Sequence, residues 1–137
     1  MSLQGSTIKP RLKLYLSTDD LEGVFGEGKW RLLEAVRREG TLVAAARTLD
    51  RSYRKAWGDI RRAEQGFGRK LVEPSRGGSQ KGKTVLTAFA VSLVEAWSAY
   101  RGEAQKAMNA AFDRHLADLI DMVPGRASSG KRMSSIK

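Results

Sequence analysis

At 137 residues, 41% of them apolar and none of them cysteine, the chain has the length for one modest domain plus an extra element, held by no disulfide. A single histidine excludes a zinc site built from this chain unaided. No apolar run reaches the roughly 18 residues of a membrane span, and the opening Met1-Ser2-Leu3-Gln4-Gly5 lacks the build of a secretion signal. The expectation is a cytoplasmic protein with no cofactor and no membrane partner. Residues 51–83 carry ten Lys or Arg against three Asp or Glu, and residues 124–137 carry four against none, out of a net charge of +10. Charge gathered in one central stretch and one tail is the footprint of a surface that meets a polyanion.

The elements follow in chain order. Arg11 to Leu16 alternates, with Leu12, Leu14 and Leu16 on one face and Arg11, Lys13 and Tyr15 on the other, which predicts a half-buried strand. Ser17 to Asp20 predicts a turn, and Val24-Phe25 a short return strand. From Glu27 to Arg38 the apolar residues Trp30, Leu32, Leu33 and Val36 recur at helical spacing, and Gly40 stops that helix. Thr41 caps a short, alanine-rich second helix, Leu42 to Leu49. Asp50-Arg51 turns the chain, and Ser52 caps a third helix to about Gln65, with Tyr53, Ala56, Trp57, Ile60 and Ala63 as its core face. Two such helices joined by a brief turn are a helix-turn-helix. Lys70 to Glu73, a basic tip from Arg76 to Lys83 and then Thr84 to Leu86 predict strand, tip and strand: a wing. From Ala88 a helix to about Asp121 is expected, its seam stepping by three and four, with Gly102 a weak point. The Gly/Ser/Arg/Lys composition after Pro124 predicts disorder.

The face of the third helix away from its core residues carries Arg51, Arg54, Lys55, Gly58, Arg61 and Arg62. Recognition helices meet base edges with their N-terminal residues, here Ser52, Tyr53, Arg54 and Lys55. Arg and Lys bond guanine O6 and N7, and hydroxyls serve bases or phosphates. The residues expected on double-stranded DNA are therefore Ser52, Tyr53, Arg54, Lys55, Gly58, Arg61 and Arg62, with Arg76, Lys81 and Lys83 on the wing. Trp57 reads better as a core aromatic, and Tyr53 reads equally either way.

A competing motif sits in the same stretch. Gly77-Gly78-Ser79-Gln80-Lys81-Gly82-Lys83-Thr84 fits the phosphate-binding loop of nucleotide hydrolases letter for letter. That loop opens directly into a helix. Here Thr84-Val85-Leu86-Thr87 reads as strand, and no repeated βαβ pattern surrounds it. His115 stands alone, and no other arrangement suggests catalysis, so the expectation is a protein that is not an enzyme.

Ser52-Tyr53-Arg54-Lys55-Ala56-Trp57, preceded by Gly40-Thr41-Leu42-Val43-Ala44-Ala45-Ala46, resembles the N-terminal DNA-binding domain of the ModE-type molybdate-responsive regulators. Leu71-Val72-Glu73, Gly77-Gly78 and Val85-Leu86-Thr87 continue the resemblance through the wing, and Phe25-Gly26-Glu27-Gly28 fits it too, over roughly residues 9–112. The helix-turn-helix and long helix are more loosely similar to the LysR-type regulators, which lack the leading strand pair. The resemblance implies a winged helix, a dimer through the long helix, and control of transcription, with DNA bound by the second and third helices and the wing, which adds Thr41 to Ser52, Tyr53, Arg54, Lys55 and the tip Arg76 to Lys83. Ser79, Gln80 and Lys81 partly replace a glycine-rich wing tip, and an oxyanion-binding sensor domain is not expected in this chain, which leaves any effector unassigned.

The sequence is thus read as mainly α with a short β-hairpin and wing (α+β), a winged helix-turn-helix followed by a long dimerisation helix. The expected divisions are residues 8–87 for the winged domain, 88–122 for the dimerisation helix and 123–137 for a disordered basic tail. A homodimer is expected through Leu93, Trp97, Tyr100, Ala104, Met108 and Phe112. A transcriptional regulator without the sensor is the first reading, a non-specific or chromosome-organising nucleic-acid binder the second, and a nucleotide hydrolase through Gly77–Thr84 a remote third.

Overall fold

The computed structural model describes residues 6–75 and 82–130. By their internal packing the residues fall into two compact units, one spanning Leu14–Ala99 and the other joining the residues up to Lys13 with those from Tyr100 onward.

In the first unit, β2 (Tyr15–Leu16) pairs antiparallel with β3 (Phe25–Gly26), Leu16 opposite Phe25. Strand β1 (Thr7–Ile8) precedes it in the chain and belongs to the second unit. Three helices follow: α1 (Glu27–Glu39), α2 (Leu42–Thr48) and α3 (Tyr53–Phe67). Each boundary has a physical cause. Gly40 ends α1 at φ 85°, its N–H donating to the Val36 carbonyl at 2.9 Å, a conformation that costs other residues a Cβ clash. The Thr41 hydroxyl accepts from the Ala44 N–H and the Ser52 hydroxyl from the Lys55 N–H, both at 3.0 Å, so each starts its helix. Ala45 and Ala46 on α2 and Ala56 on α3 are buried without bulk, which brings the two helices close. At the far end of α3, a Cβ on Gly66 would overlap the Val24 side chain, so glycine there lets the hairpin seat against the helix.

The wing is β4 (Val72–Pro74) paired antiparallel with β5 (Thr84–Leu86), in register Val72 to Leu86 and Pro74 to Thr84. The Thr84 N–H donates to the Gly40 carbonyl at 2.7 Å and ties the wing root to the end of α1. Helix α4 (Ala88–His115) then begins under the Thr87 hydroxyl, which accepts from the Ala90 N–H at 3.1 Å. Its first turns close the core: Ala90, Val94 and Trp97 are buried against Phe25, Leu32, Leu33, Val36, Ile60 and Leu71. Phe25 stands edge-on to Trp97 at 5.3 Å and to Phe67 at 5.9 Å between ring centres. Such pairs contribute about 0.5–1.5 kcal/mol beyond area burial.

In the second unit, the later turns of α4 lead through Leu116 into α5 (Ala117–Asp121), and β6 (Ala127–Ser128) runs parallel to β1, Thr7 opposite Ala127. Phe112 and Ala117 are buried there.

Several expectations change. The alternating strand shrinks to Tyr15–Leu16; Leu12 lies in the other unit and is 42% exposed, so alternation alone overstates the pairing. The winged unit runs to Ala99, beyond residue 87, because the first turns of α4 complete its core. The long helix passes straight through Gly102, whose cost of about 1 kcal/mol is offset by the alanines around it, and breaks instead at Leu116. The tail is structured as far as Gly130. The Asp121 carboxylate accepts from the Ser128 N–H at 2.6 Å, and the Ser129 N–H donates to the Ile8 carbonyl at 3.1 Å. Composition missed it because backbone groups and one carboxylate, not apolar side chains, make these contacts. Residues 131–137 lie outside the described residues.

Candidate nucleic-acid interface

The local sequence fixes how α3 is presented. After helix α2, the turn at Asp50 (φ 55°) and the Ser52 cap, the first turn of α3 is exposed from Ser52 to Lys55, while Ala56, Ile60 and Ala63 anchor the rest. Tyr53, the first helical residue, is consequently 50% exposed, not a core residue. Trp57, one turn on, is partly buried against the core as expected. Tyr53 meets the Trp57 ring edge-on at 6.4 Å, and the Arg61 guanidinium lies 5.3 Å from its centre. Tyr53, Trp57 and Arg61 thus form one supported stripe along α3.

The cations of α3 divide into held and open. Arg51 reaches Asp59 at 3.3 Å and the Gly28 carbonyl at 3.4 Å, and Lys55 reaches Asp59 at 3.0 Å. One carboxylate therefore holds two cations. Arg62 donates twice to the Glu22 carbonyl, at 2.6 and 3.2 Å, and pins the hairpin turn to α3. Lys29 borders this cluster, its ammonium donating to the Gly23 carbonyl at 3.1 Å. Burial lowers its pKa from the ordinary lysine value, and Arg62, Lys55 and Arg51 add to the lowering while Asp59 opposes it. Arg54 is different: it is exposed, and its side chain makes no hydrogen bond or ion pair to a described residue. Arg47 on α2 is open in the same way.

Thr41 and Ser52 spend an oxygen lone pair on capping and keep a hydroxyl hydrogen to donate. Gly58 is exposed with open space where a Cβ would stand. On the wing, Lys83 is exposed with its aliphatic stem over Gly40, beside the start of α2. Arg76 and Lys81 lie outside the described residues. Within the phosphate-loop motif, Thr84 is a strand residue paired to Pro74, and α4 begins only at Ala88.

Sequence reasoning missed Val43 and Arg47, which share an open concavity with Ala46, Asp50, Arg51, Ser52 and Tyr53. Their signal was the helical complement of the buried Leu42, Ala45 and Ala46. The expected dimer seam also divides. Trp97 is 3% exposed in the core of its own unit, and Leu93 packs on that core; Phe112 is 6% exposed. Trp97 and Phe112, expected at a partner, are thus already buried within the chain itself. Tyr100 is half exposed, and Ala104 and Met108 are half-buried.

Residues 28–90 match the family of bacterial regulatory helix-turn-helix proteins of the lysR type. The chain is 34% identical over 83 residues to the molybdenum-pterin-binding protein MopA of Rhodobacter capsulatus, across 61% of this chain and 31% of that protein. It is 33% identical over 95 residues to the molybdenum transport protein ModE of Azotobacter vinelandii, across 69% and 35%. The chain spans about a third of the length of these two relatives. Among solved structures it resembles ArgP from Mycobacterium tuberculosis at 17% identity and a TM-score of 0.47, over 80% of this chain and 44% of that one.

Proposed function

We propose that the chain, whose residues 28–90 match the bacterial regulatory helix-turn-helix proteins of the lysR family, is a sequence-specific transcriptional regulator that binds double-stranded DNA. The observation that carries the reading is the exposed start of α3, where the Arg54 side chain is open while Arg51, Lys55 and Arg62 are held by protein acceptors. A helix start inserted in the major groove sets an open arginine against base edges. Tyr53, Ser52 and Gly58 flank it, Arg61 and Arg47 approach phosphates, and Thr41 and Lys83 contact the backbone beside the wing. The held cations supply potential and shape rather than direct bonds. The divided motif at Gly77–Thr84 disfavours nucleotide hydrolysis, since β5 stands where the helix of a phosphate loop would begin.

The second unit supports assembly into a homodimer. Tyr100, Leu116, Leu119, Met122 and Val123 are 46–76% exposed, and a second copy offering the same surface would cover them. Two recognition helices would then read half-sites about 34 Å, or one helical turn, apart.

Selection from a pool of random duplexes tests the reading. A short enriched sequence with two-fold symmetry is expected. Tight binding without enrichment would point instead to a general nucleic-acid binder, and no binding would overturn both.

A further inference from the structure

The concavity between α2 and α3 has a composition that a phosphate-binding surface would not have. It is lined by Val43, 49% exposed, and Tyr53, 50% exposed, together with Arg47, Asp50, Arg51, Ser52 and Ala46. A carboxylate at Asp50 repels a phosphate, and Arg51, the nearer cation in sequence, is already committed to Asp59. Two large apolar groups at the edge of a basic surface gain nothing from a sugar-phosphate chain. In the major groove, the apolar group that a base edge presents is the 5-methyl of thymine. The surrounding charge fits that occupant: exposed Arg47 lines the concavity and exposed Arg54 follows Tyr53 in the chain, so both are at hand for the flanking backbone. The edge-on contact with Trp57, itself under Arg61, holds the Tyr53 ring in place, so little freedom is lost on contact.

We propose that Val43 and Tyr53 form an apolar clip that takes the methyl group of one thymine and so specifies thymine at one position in each half-site. The inference rests on the reading of the chain as a sequence-specific DNA binder and adds the base it selects. Specificity then has two parts, a polar one from Arg54 and an apolar one from the concavity.

Uracil is the probe, because it removes the methyl and keeps every hydrogen-bonding group. Each thymine of an enriched duplex is replaced singly by deoxyuridine, and affinity for the whole chain is measured by fluorescence anisotropy. One position per half-site is expected to lose affinity about 3- to 5-fold, the worth of one buried methyl, while the others change little. In Val43→Ala with Tyr53→Ser that loss should disappear; in Arg54→Ala it should persist. Both replaced side chains are half exposed, and an unchanged melting temperature verifies folding; Val43→Thr, close in shape, should by itself diminish the loss. An enriched site with no uracil-sensitive position, or a uracil effect as large in the double variant as in the wild type, overturns the clip and leaves the regulator reading intact. Failure to enrich any sequence overturns both.

Discussion

The two units treat their large apolar side chains in opposite ways. Between Leu14 and Ala99 the core closes around Phe25, Leu32, Leu33, Val36, Ile60 and Trp97, and Val43 and Tyr53, two of the few such groups left in solvent, stand together beside open arginines. In the residues up to Lys13 and from Tyr100 onward, only Phe112 and Ala117 are buried among the described residues, while Ile8, Leu12, Tyr100, Leu116, Leu119, Met122 and Val123 remain in water. The first unit satisfies itself and exposes what a base edge would use. The second leaves more of its large apolar side chains exposed than buried, the feature on which the proposed homodimer rests.

This contrast fails if Trp97 is not an internal residue. Trp97→Ala should destabilise the first unit by about 3–5 kcal/mol through lost contacts and a cavity, read from the shift in the urea midpoint. An unfolding midpoint that stays put, with a change in mass instead, would return Trp97 to the role of a partner contact.

Charges placed on the second unit should do the reverse. Leu119→Glu with Met122→Glu is expected to leave the melting temperature within a few degrees and to weaken self-association by about tenfold or more, as roughly 1.5–3 kcal/mol of burial per side chain is forfeited. Sedimentation at micromolar concentration reads it. The wild type should run at twice the 15.1 kDa chain mass and the double variant close to the single chain. A wild type already at the single mass would remove the dimer.

A smaller effect sharpens the comparison within the first unit. Ser52→Ala removes the cap of α3 and should cost about 1 kcal/mol of stability, since the Lys55 N–H loses its acceptor. DNA affinity should fall with it, because the cap sits at the first turn of the reading helix. Retained affinity would mean that this turn does not touch DNA.

The parts legible in the sequence are those fixed by local chemistry. Gly40, Thr41, Ser52 and Gly68 mark helix ends by φ and by hydroxyl acceptors, and both antiparallel hairpins follow from runs close in the chain. What escaped depends on distant groups. The pairing of β1 with β6 joins Thr7 to Ala127 through two residues a side, too short for any periodic signal. Helical spacing identifies the apolar face of α4 but not what covers it, so Trp97 and Tyr100 looked alike although one is buried and the other half exposed. The basic face of α3 was legible as charge, whereas the Glu22 carbonyl under Arg62 and the shared Asp59 were not. Of the two pairs on Asp59, Lys55 is at helical spacing and was within reach of sequence reasoning.

The central claim is that the open end of α3 reads bases, and one titration bears on it most directly. Wild type and Arg54→Ala are each titrated against the enriched duplex and a scrambled duplex of equal length at the same salt concentration. Loss of an arginine–base contact of about 1–3 kcal/mol predicts a fall of roughly 5- to 150-fold for the enriched duplex and about twofold or less for the scrambled one. If the variant loses affinity equally for both duplexes, Arg54 is a backbone contact, and the account of α3 as the reading element is contradicted.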